Sequence, residues 1–220
     1  IAGVQRGWKI NSINGVAIND TSQSNFIINT VYASPTTRFN FQLPDNSIRE
    51  VTLNSQIFTG NPFVIDSVYT AGSSKIGYFV LNSFLGDTAQ MRNNFDRIFN
   101  KFITAGVNDV VIDLRYNGGG YVSLAQYLLN WIVPNAGNGQ MMFTEAYNDK
   151  YASRFNETVA YQKRGTLNLS RIFFIVSKQS ASASELTINS IRPFLDVKLV
   201  GPTNTHGKPV GYGGYSAGPW

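Results

Sequence analysis

Arg171-Ile-Phe-Phe-Ile-Val-Ser-Lys-Gln-Ser-Ala-Ser-Ala-Ser-Glu185 is the stretch on which the reading of the chain turns. Arg171 to Val176 is a short apolar run, rich in β-branched and aromatic residues and bounded by polar ones, which predicts a buried strand. Leu186 to Phe194 predicts a short helix stopped by Pro193. The serines between them lie on a turn from strand to helix. The first N–H groups of a helix lack partners and the helix dipole is positive there, so a developing oxyanion is stabilised and a nucleophile is well placed. A plainer reading uses the same residues: Ser182, with Glu185 three positions later, fits a capping box. Locally, both readings stand.

The residues beyond the turn separate them. Asp196 to Val200 predicts another strand, leading into Gly201-Pro-Thr-Asn-Thr-His-Gly-Lys-Pro-Val-Gly211. The Ser-Ala-Ser-Ala-Ser-Glu run, a strand, and then Gly-Lys in a glycine-rich loop resemble the carboxyl-terminal processing (tail-specific) serine peptidases. Upstream, Asp113-Leu-Arg-Tyr-Asn-Gly-Gly-Gly120 is similar to that family's Asp-Leu-Arg-x-Asn-Pro-Gly-Gly loop. Thr205 to Gly211 and Tyr147-Asn-Asp-Lys150 look most like the branch common in Bacteroidetes.

The resemblance implies roles for particular residues. Ser182 would be the nucleophile and Lys208 the general base, with the N–H groups of Ala183 and Gly119 forming the oxyanion hole. Glu185 would cap the helix or orient Lys208, and His206 would shape the site or touch substrate. The family's activity implies protein or peptide substrates, no metal or cofactor, and a place in the bacterial cell envelope, periplasmic or exported. Two features depart from the family pattern. Ser182 and Lys208 are 26 residues apart, one more than the family usually shows, and Gly118 stands where the family has proline.

A lysine acting as base must be neutral. With an ordinary pKa of about 10.4, it needs an apolar pocket that lowers this value, within hydrogen-bond reach of the Ser182 hydroxyl. His206 is the single histidine, so any Ser-His-Asp arrangement would have to use it.

Composition narrows the classes. The 220 residues are enough for one large domain or two small ones, and 43% hydrophobic with 14% charged residues is a globular balance. The net charge of +5 is spread out, and Lys and Arg form no block, which argues against a nucleic-acid partner. Without cysteine there are neither disulfides nor thiolate metal sites. No apolar run is long enough to span a membrane and no signal peptide opens the sequence. Oligomeric state is not legible.

Residues 1–58 are expected to form a partial PDZ-like domain. Ile1-Ala-Gly-Val to Asn14-Gly15 resembles the middle of a PDZ domain, whose first strands would be missing, so the chain is expected to be a fragment of a longer protein. Ile10, Ile13 and Val16 flank the Asn14-Gly15 turn as a hairpin requires. Asp20 or Thr21 would cap a helix through about Ala33, with Phe26, Ile27 and Val31 on one face. Thr37 to Leu43 and Ile48 to Leu53 predict strands joined at Pro44-Asp-Asn46.

Residues 59–220 are expected to hold an α/β core, mixed α+β with βαβ units, which the resemblance makes crotonase-like. Residues 59–74 read as a linker with one strand at Phe63 to Tyr69. Lys75 to Phe84 predicts a core strand. Met91, Phe95, Ile98, Phe99, Phe102 and Ile103 then form a helical stripe between a cap at Asp87 and a stop at Gly106. Asn108 to Arg115 predicts a strand whose charged residues Asp113 and Arg115 are expected to find partners that offset their burial and to serve structure, and Tyr121 to Val133 predicts a helix. Gly139 to Tyr147 predicts a strand, and the polar, aromatic residues after it a loop or lid.

Two rival functions use the same elements. A non-catalytic peptide- or ligand-binding protein would keep the serine motif only as a cap. An acyl-transfer or hydratase enzyme of crotonase type would share the oxyanion hole but leave Lys208 unexplained. Fold cannot choose among them.

Overall fold

The computed structural model describes residues 3–56, 60–202 and 204–208. The chain divides into two compact units between Thr59 and Gly60.

The first unit is an antiparallel sheet with one helix. Strand β1 (Lys9–Ile13) turns through Asn14 and Gly15, both at positive φ (48° and 84°), into β2 (Val16–Ala17), the geometry an Asn-Gly hairpin requires. Helix α1 (Ser24–Val31) is shorter than expected. A 3-10 turn at Thr21–Gln23 precedes it, and the Asp20 carboxylate accepts the Ser22 N–H at 2.7 Å. Strands β3 (Thr36–Gln42) and β4 (Ile48–Asn54) complete the sheet in the order β2-β1-β3-β4. Ile13, Phe39 and Phe41 form its small core, against which Trp8, Phe26, Ile27 and Val31 pack.

The second unit begins with β5 (Phe63–Ala71) and β6 (Ser74–Leu81), an antiparallel pair whose register shifts once, between Phe63 and Ile65. The strand expected at Phe63 to Tyr69 is present and runs on to Ala71, but it is an edge strand of the main sheet and not part of a linker. The apparent linker chemistry of Ala71 to Ser74 is the tight turn between the two strands. Helix α2 (Thr88–Ala105) starts where Asp87 accepts the Gln90 N–H at 2.8 Å and stops at Gly106, which is left-handed at φ 68°. Its stripe of Met91, Phe95, Ile98, Phe99 and Phe102 is buried.

β7 (Asp109–Asp113) and α3 (Val122–Ile132) come next, with Trp131 stacked on Phe99 at 5.3 Å. A Cβ on Gly77 would lie 2.7 Å from the Phe102 ring, so glycine there is what lets α2 lie close on β6. Burial of each such ring contributes about 1.5–3 kcal/mol relative to exposure.

The strand expected at Gly139 to Tyr147 is present, and the residues after it, expected as a loop or lid, hold a short helix and a further strand. β8 (Met141–Glu145) and β9 (Glu157–Ala160) pair antiparallel around a short helix, α4 (Asp149–Phe155), whose rim carries Tyr147, Tyr151 and Phe155 in ring contact. The chain then returns to the main sheet through β10 (Arg171–Ile175), α5 (Ala183–Ile191) and β11 (Asp196–Val200). Helix α5 begins earlier than its apolar residues suggest, because Ser182 takes the N-cap position.

The sheet order is β11-β10-β7-β6-β5, with β6, β7, β10 and β11 mutually parallel and β5 antiparallel. β6-α2-β7 and β10-α5-β11 are βαβ units, so the unit is mixed α/β, as expected. No helix among the described residues is long and apolar enough to cross a membrane.

Candidate active site

In an open sheet of parallel strands, ligands bind beyond the carboxyl ends of the strands. β6, β7 and β10 are neighbours, and β7 and β10 run at that end into the two segments singled out by sequence. β7 leads into Asn117 to Gly120, β10 into the serine turn, and β6 into Asn82 to Leu85.

The end of β7 is fixed by an ion pair. The Arg115 guanidinium meets both oxygens of the buried Asp113, through Nε at 3.0 Å and a terminal nitrogen at 2.6 Å, and the Tyr78 hydroxyl adds a bond at 3.1 Å. Burial pushes the Asp113 carboxyl up, but its bonds from Arg115 and Tyr78 outweigh this and hold it below the usual carboxylate range. The structural role expected of the two charges is thus met by their pairing with each other.

The serines at 180, 182 and 184 differ sharply. Ser180 is fully buried and donates to the Leu114 carbonyl at 2.7 Å; Ser184 is fully buried and donates to the Asn117 carbonyl at 2.9 Å. They stitch the serine turn to the glycine loop. Ser182 is half-buried, with φ 56° and ψ −116°, a conformation that costs a non-glycine residue on the order of 1–3 kcal/mol. Strain of this kind, held by flanking anchors, is typical of functional turns.

Gly119 lies directly against this residue. A Cβ on Gly119 would stand 2.7 Å from the Ser182 Cβ and 3.0 Å from the Ala183 nitrogen, so only glycine allows the two loops to meet. The Gly119 N–H, however, points to the Asn117 side chain, which accepts it at 2.9 Å. The donor expected for an oxyanion is thus engaged within its own loop. Among the described residues, the N–H groups of Ala183 and Gly118 have no acceptor.

Asn117 is the residue that sequence reasoning missed. It is fully buried, its amide donates to the Leu81 carbonyl at 3.0 Å, and its own carbonyl accepts the Ala181 N–H at 3.1 Å as well as the Ser184 hydroxyl. One side chain and one carbonyl therefore join the ends of β6, β7 and β10. An asparagine amid glycines reads as a turn, and nothing in the sequence reveals its burial.

Glu185 joins the serine turn to the lysine loop. One carboxylate oxygen accepts the Ser182 N–H at 3.0 Å and the Lys208 N–H at 2.9 Å, and the other accepts the Gly207 N–H at 2.5 Å. The bond to the Ser182 N–H is the glutamate half of the capping box. Burial pushes this carboxyl up, but the Thr205 side chain and the three N–H groups outweigh it and hold it below its ordinary value. Lys208 is half-buried on this clamped loop. His206 is exposed, and its N–H donates to the Ser180 carbonyl at 2.9 Å. The candidate residues Ser182, Ala183, Glu185 and Gly119 are thus assembled at one place, with the backbones of His206 and Lys208 attached to it.

A strained serine at a helix start, facing a glycine loop beyond the ends of parallel strands, has the layout of an acyl-transfer site. The chain belongs to peptidase family S41, whose family model matches residues 75–216. Among solved structures it is similar to a Bacteroides fragilis NCTC 9343 protein assigned to the S41 proteases, with 26% identity and a TM-score of 0.73 over 94% of this chain and 56% of that one. It also shares its fold with the photosystem II D1 C-terminal processing protease, at 19% identity and a TM-score of 0.55 over 94% of this chain and 54% of that one. The chain thus spans a little over half the length of either structure. No curated protein matches it.

Proposed function

We propose that the protein is a serine endopeptidase of the C-terminal processing type, with Ser182 as nucleophile and Lys208 as general base. The observation that carries this reading is the contrast among the three serines. Two are buried anchors of the glycine loop, and the middle one is held half-exposed and strained against Gly119. A motif that served only to cap α5 would have no need of a left-handed serine.

In the proposed reaction, Lys208 acts as the base that takes the Ser182 hydroxyl proton as the oxygen attacks the substrate carbonyl. The Ala183 N–H stabilises the oxyanion. The Gly119 N–H becomes the second donor when it exchanges the Asn117 oxygen for the oxyanion. The tetrahedral intermediate collapses with proton return to the leaving amine, and water, activated by the same lysine, releases the acyl group. Glu185 is a positioning residue that sets the lysine loop against the serine turn. In this reading the first unit acts as a PDZ-like module that engages substrate tails, and the protein works in the bacterial cell envelope, periplasmic or exported.

The test is cleavage of an unfolded model protein by the full-length protein. Ser182→Ala and Lys208→Ala are expected to abolish cleavage, while His206→Ala retains most of it. A wild type that cuts nothing across about pH 6 to 10, where a lysine base would be active, moves the non-catalytic binding protein ahead.

A further inference from the structure

Leu85, Tyr116, Tyr121 and Val122 are large apolar side chains that stand out of the surface, at 54%, 66%, 49% and 38% exposure. The backbone just before Leu85 and that of Tyr121 are bound to the glycine loop of the candidate active site. The Phe84 N–H donates to the Gly119 carbonyl at 2.9 Å, the Tyr121 N–H donates to the Phe84 carbonyl at 3.0 Å, and Phe84 bridges Gly120 in parallel. Leu85 is held in turn by its N–H to the Ser83 hydroxyl at 3.0 Å.

The glycine loop therefore lies between two segments. On one side a Cβ on Gly120 would come within 2.8 Å of the Leu85 nitrogen; on the other, Gly119 abuts Ser182. Leu85 and Tyr121 are separated from the nucleophile by the width of one glycine loop. Tyr116 and Val122 flank them at the two ends of that loop.

Single exposed apolar residues need no explanation, but a group of them around a reactive turn does. The other exposed apolar side chains of the main sheet differ in this respect. Val64, Ile65 and Tyr69 belong to the edge strand β5, and Leu199 and Val200 to the edge strand β11. No hydrogen bond among the described residues joins these to the glycine loop.

We propose that Leu85 and Tyr121, flanked by Tyr116, form a subsite for a bulky apolar side chain, such as Phe, Leu or Met, beside the bond presented to Ser182. The inference rests on the peptidase reading and names its substrate class: extended polypeptide with large apolar residues, which folded proteins bury and unfolded segments expose. Apolar contact of this kind discriminates by roughly 10- to 200-fold. Position on the surface, and not new chemistry, then selects where the chain is cut.

The test uses two quenched fluorescent peptides that differ only in the residues flanking the cleaved bond, Phe in one and Ser in the other. The full-length wild type is expected to favour the Phe peptide by about tenfold or more in kcat/KM. In Leu85→Ser and Tyr121→Ser the ratio falls toward unity, and in Leu85→Met it is retained. Thermal melts of each variant separate a changed preference from a lost fold. A wild type without preference, or a ratio that both serine variants leave intact, overturns the subsite.

Failure of the peptidase reading shows differently, as no cleavage of either peptide. In that event, fluorescence anisotropy of both peptides on the Ser182→Ala protein decides the subsite. Tighter binding of the Phe peptide, lost when Leu85→Ser is added, supports it; equal binding of the two peptides overturns it.

Discussion

The side-chain oxygen of Asn117 accepts the Gly119 N–H at 2.9 Å, while its amide donates to the Leu81 carbonyl at 3.0 Å. The glycine loop is thereby tied to the end of β6 and its shape is set by a residue that need not touch substrate. Asn117→Ala leaves a buried carbonyl and an N–H without these partners. The expected loss is about 2–4 kcal/mol of stability, read by urea unfolding, with a fall in kcat where the variant remains folded. A variant as stable as wild type would show that water takes over both bonds.

Glu185 collects three backbone N–H groups from two loops. Glutamine has one acceptor oxygen and turns an amide donor toward some of these donors. Glu185→Gln is therefore expected to reduce kcat/KM by tenfold or more and to destabilise the fold by about 1–3 kcal/mol. The positioning role predicts that Glu185→Gln adds little to the loss of kcat/KM already caused by Lys208→Ala. Fully additive losses would mean that the two residues act separately.

Both Glu185 and Asp113 are held below their ordinary values of 4.5 and 3.8. A carboxylate with a depressed folded pKa contributes stability that is complete above its unfolded pKa and is lost as pH falls through the folded one. Unfolding free energy should thus be steady with respect to these groups from about pH 7 to 5 and decline below about pH 4. Glu185→Gln and Asp113→Asn should each flatten the acid decline. A decline that neither substitution changes would assign acid sensitivity to other groups.

Local rules made α2 legible, because its apolar stripe, its Asp87 cap and its left-handed Gly106 all carry their own physics. The hairpin at Asn14-Gly15 was legible for the same reason. β5 was legible as a strand over Phe63 to Tyr69, but its place at the edge of the main sheet was hidden, because its Asp66 and Ser67 break the apolar pattern. In the structure Asp66 is neutralised by Arg97 and Lys101 at 2.7 and 2.8 Å, a tertiary arrangement that no window of sequence shows. α4 is too short to show a helical period.

The candidate site divides along the same line. Ser182 could be singled out from its place in the motif, but the reason it differs from Ser180 and Ser184 is three-dimensional. Their hydroxyls find the carbonyls of Leu114 and Asn117 across more than 60 residues of chain. The engagement of the Gly119 N–H depends on the Asn117 rotamer, which composition and spacing cannot specify.

The strain at Ser182 gives the last prediction, in which stability and activity move in opposite directions. At φ 56° and ψ −116° a glycine is relaxed and a serine is not. Ser182→Gly should remove the nucleophile and yet raise stability, by about 1 kcal/mol after allowance for the extra freedom of glycine in the unfolded chain. Ser180→Ala and Ser184→Ala should do the reverse in stability, losing about 1–3 kcal/mol as the buried carbonyls of Leu114 and Asn117 forfeit a donor. Urea unfolding of the three variants side by side reads the signs directly. If Ser182→Gly destabilises as much as its neighbours, Ser182 is an ordinary cap and the left-handed turn stores no strain for function.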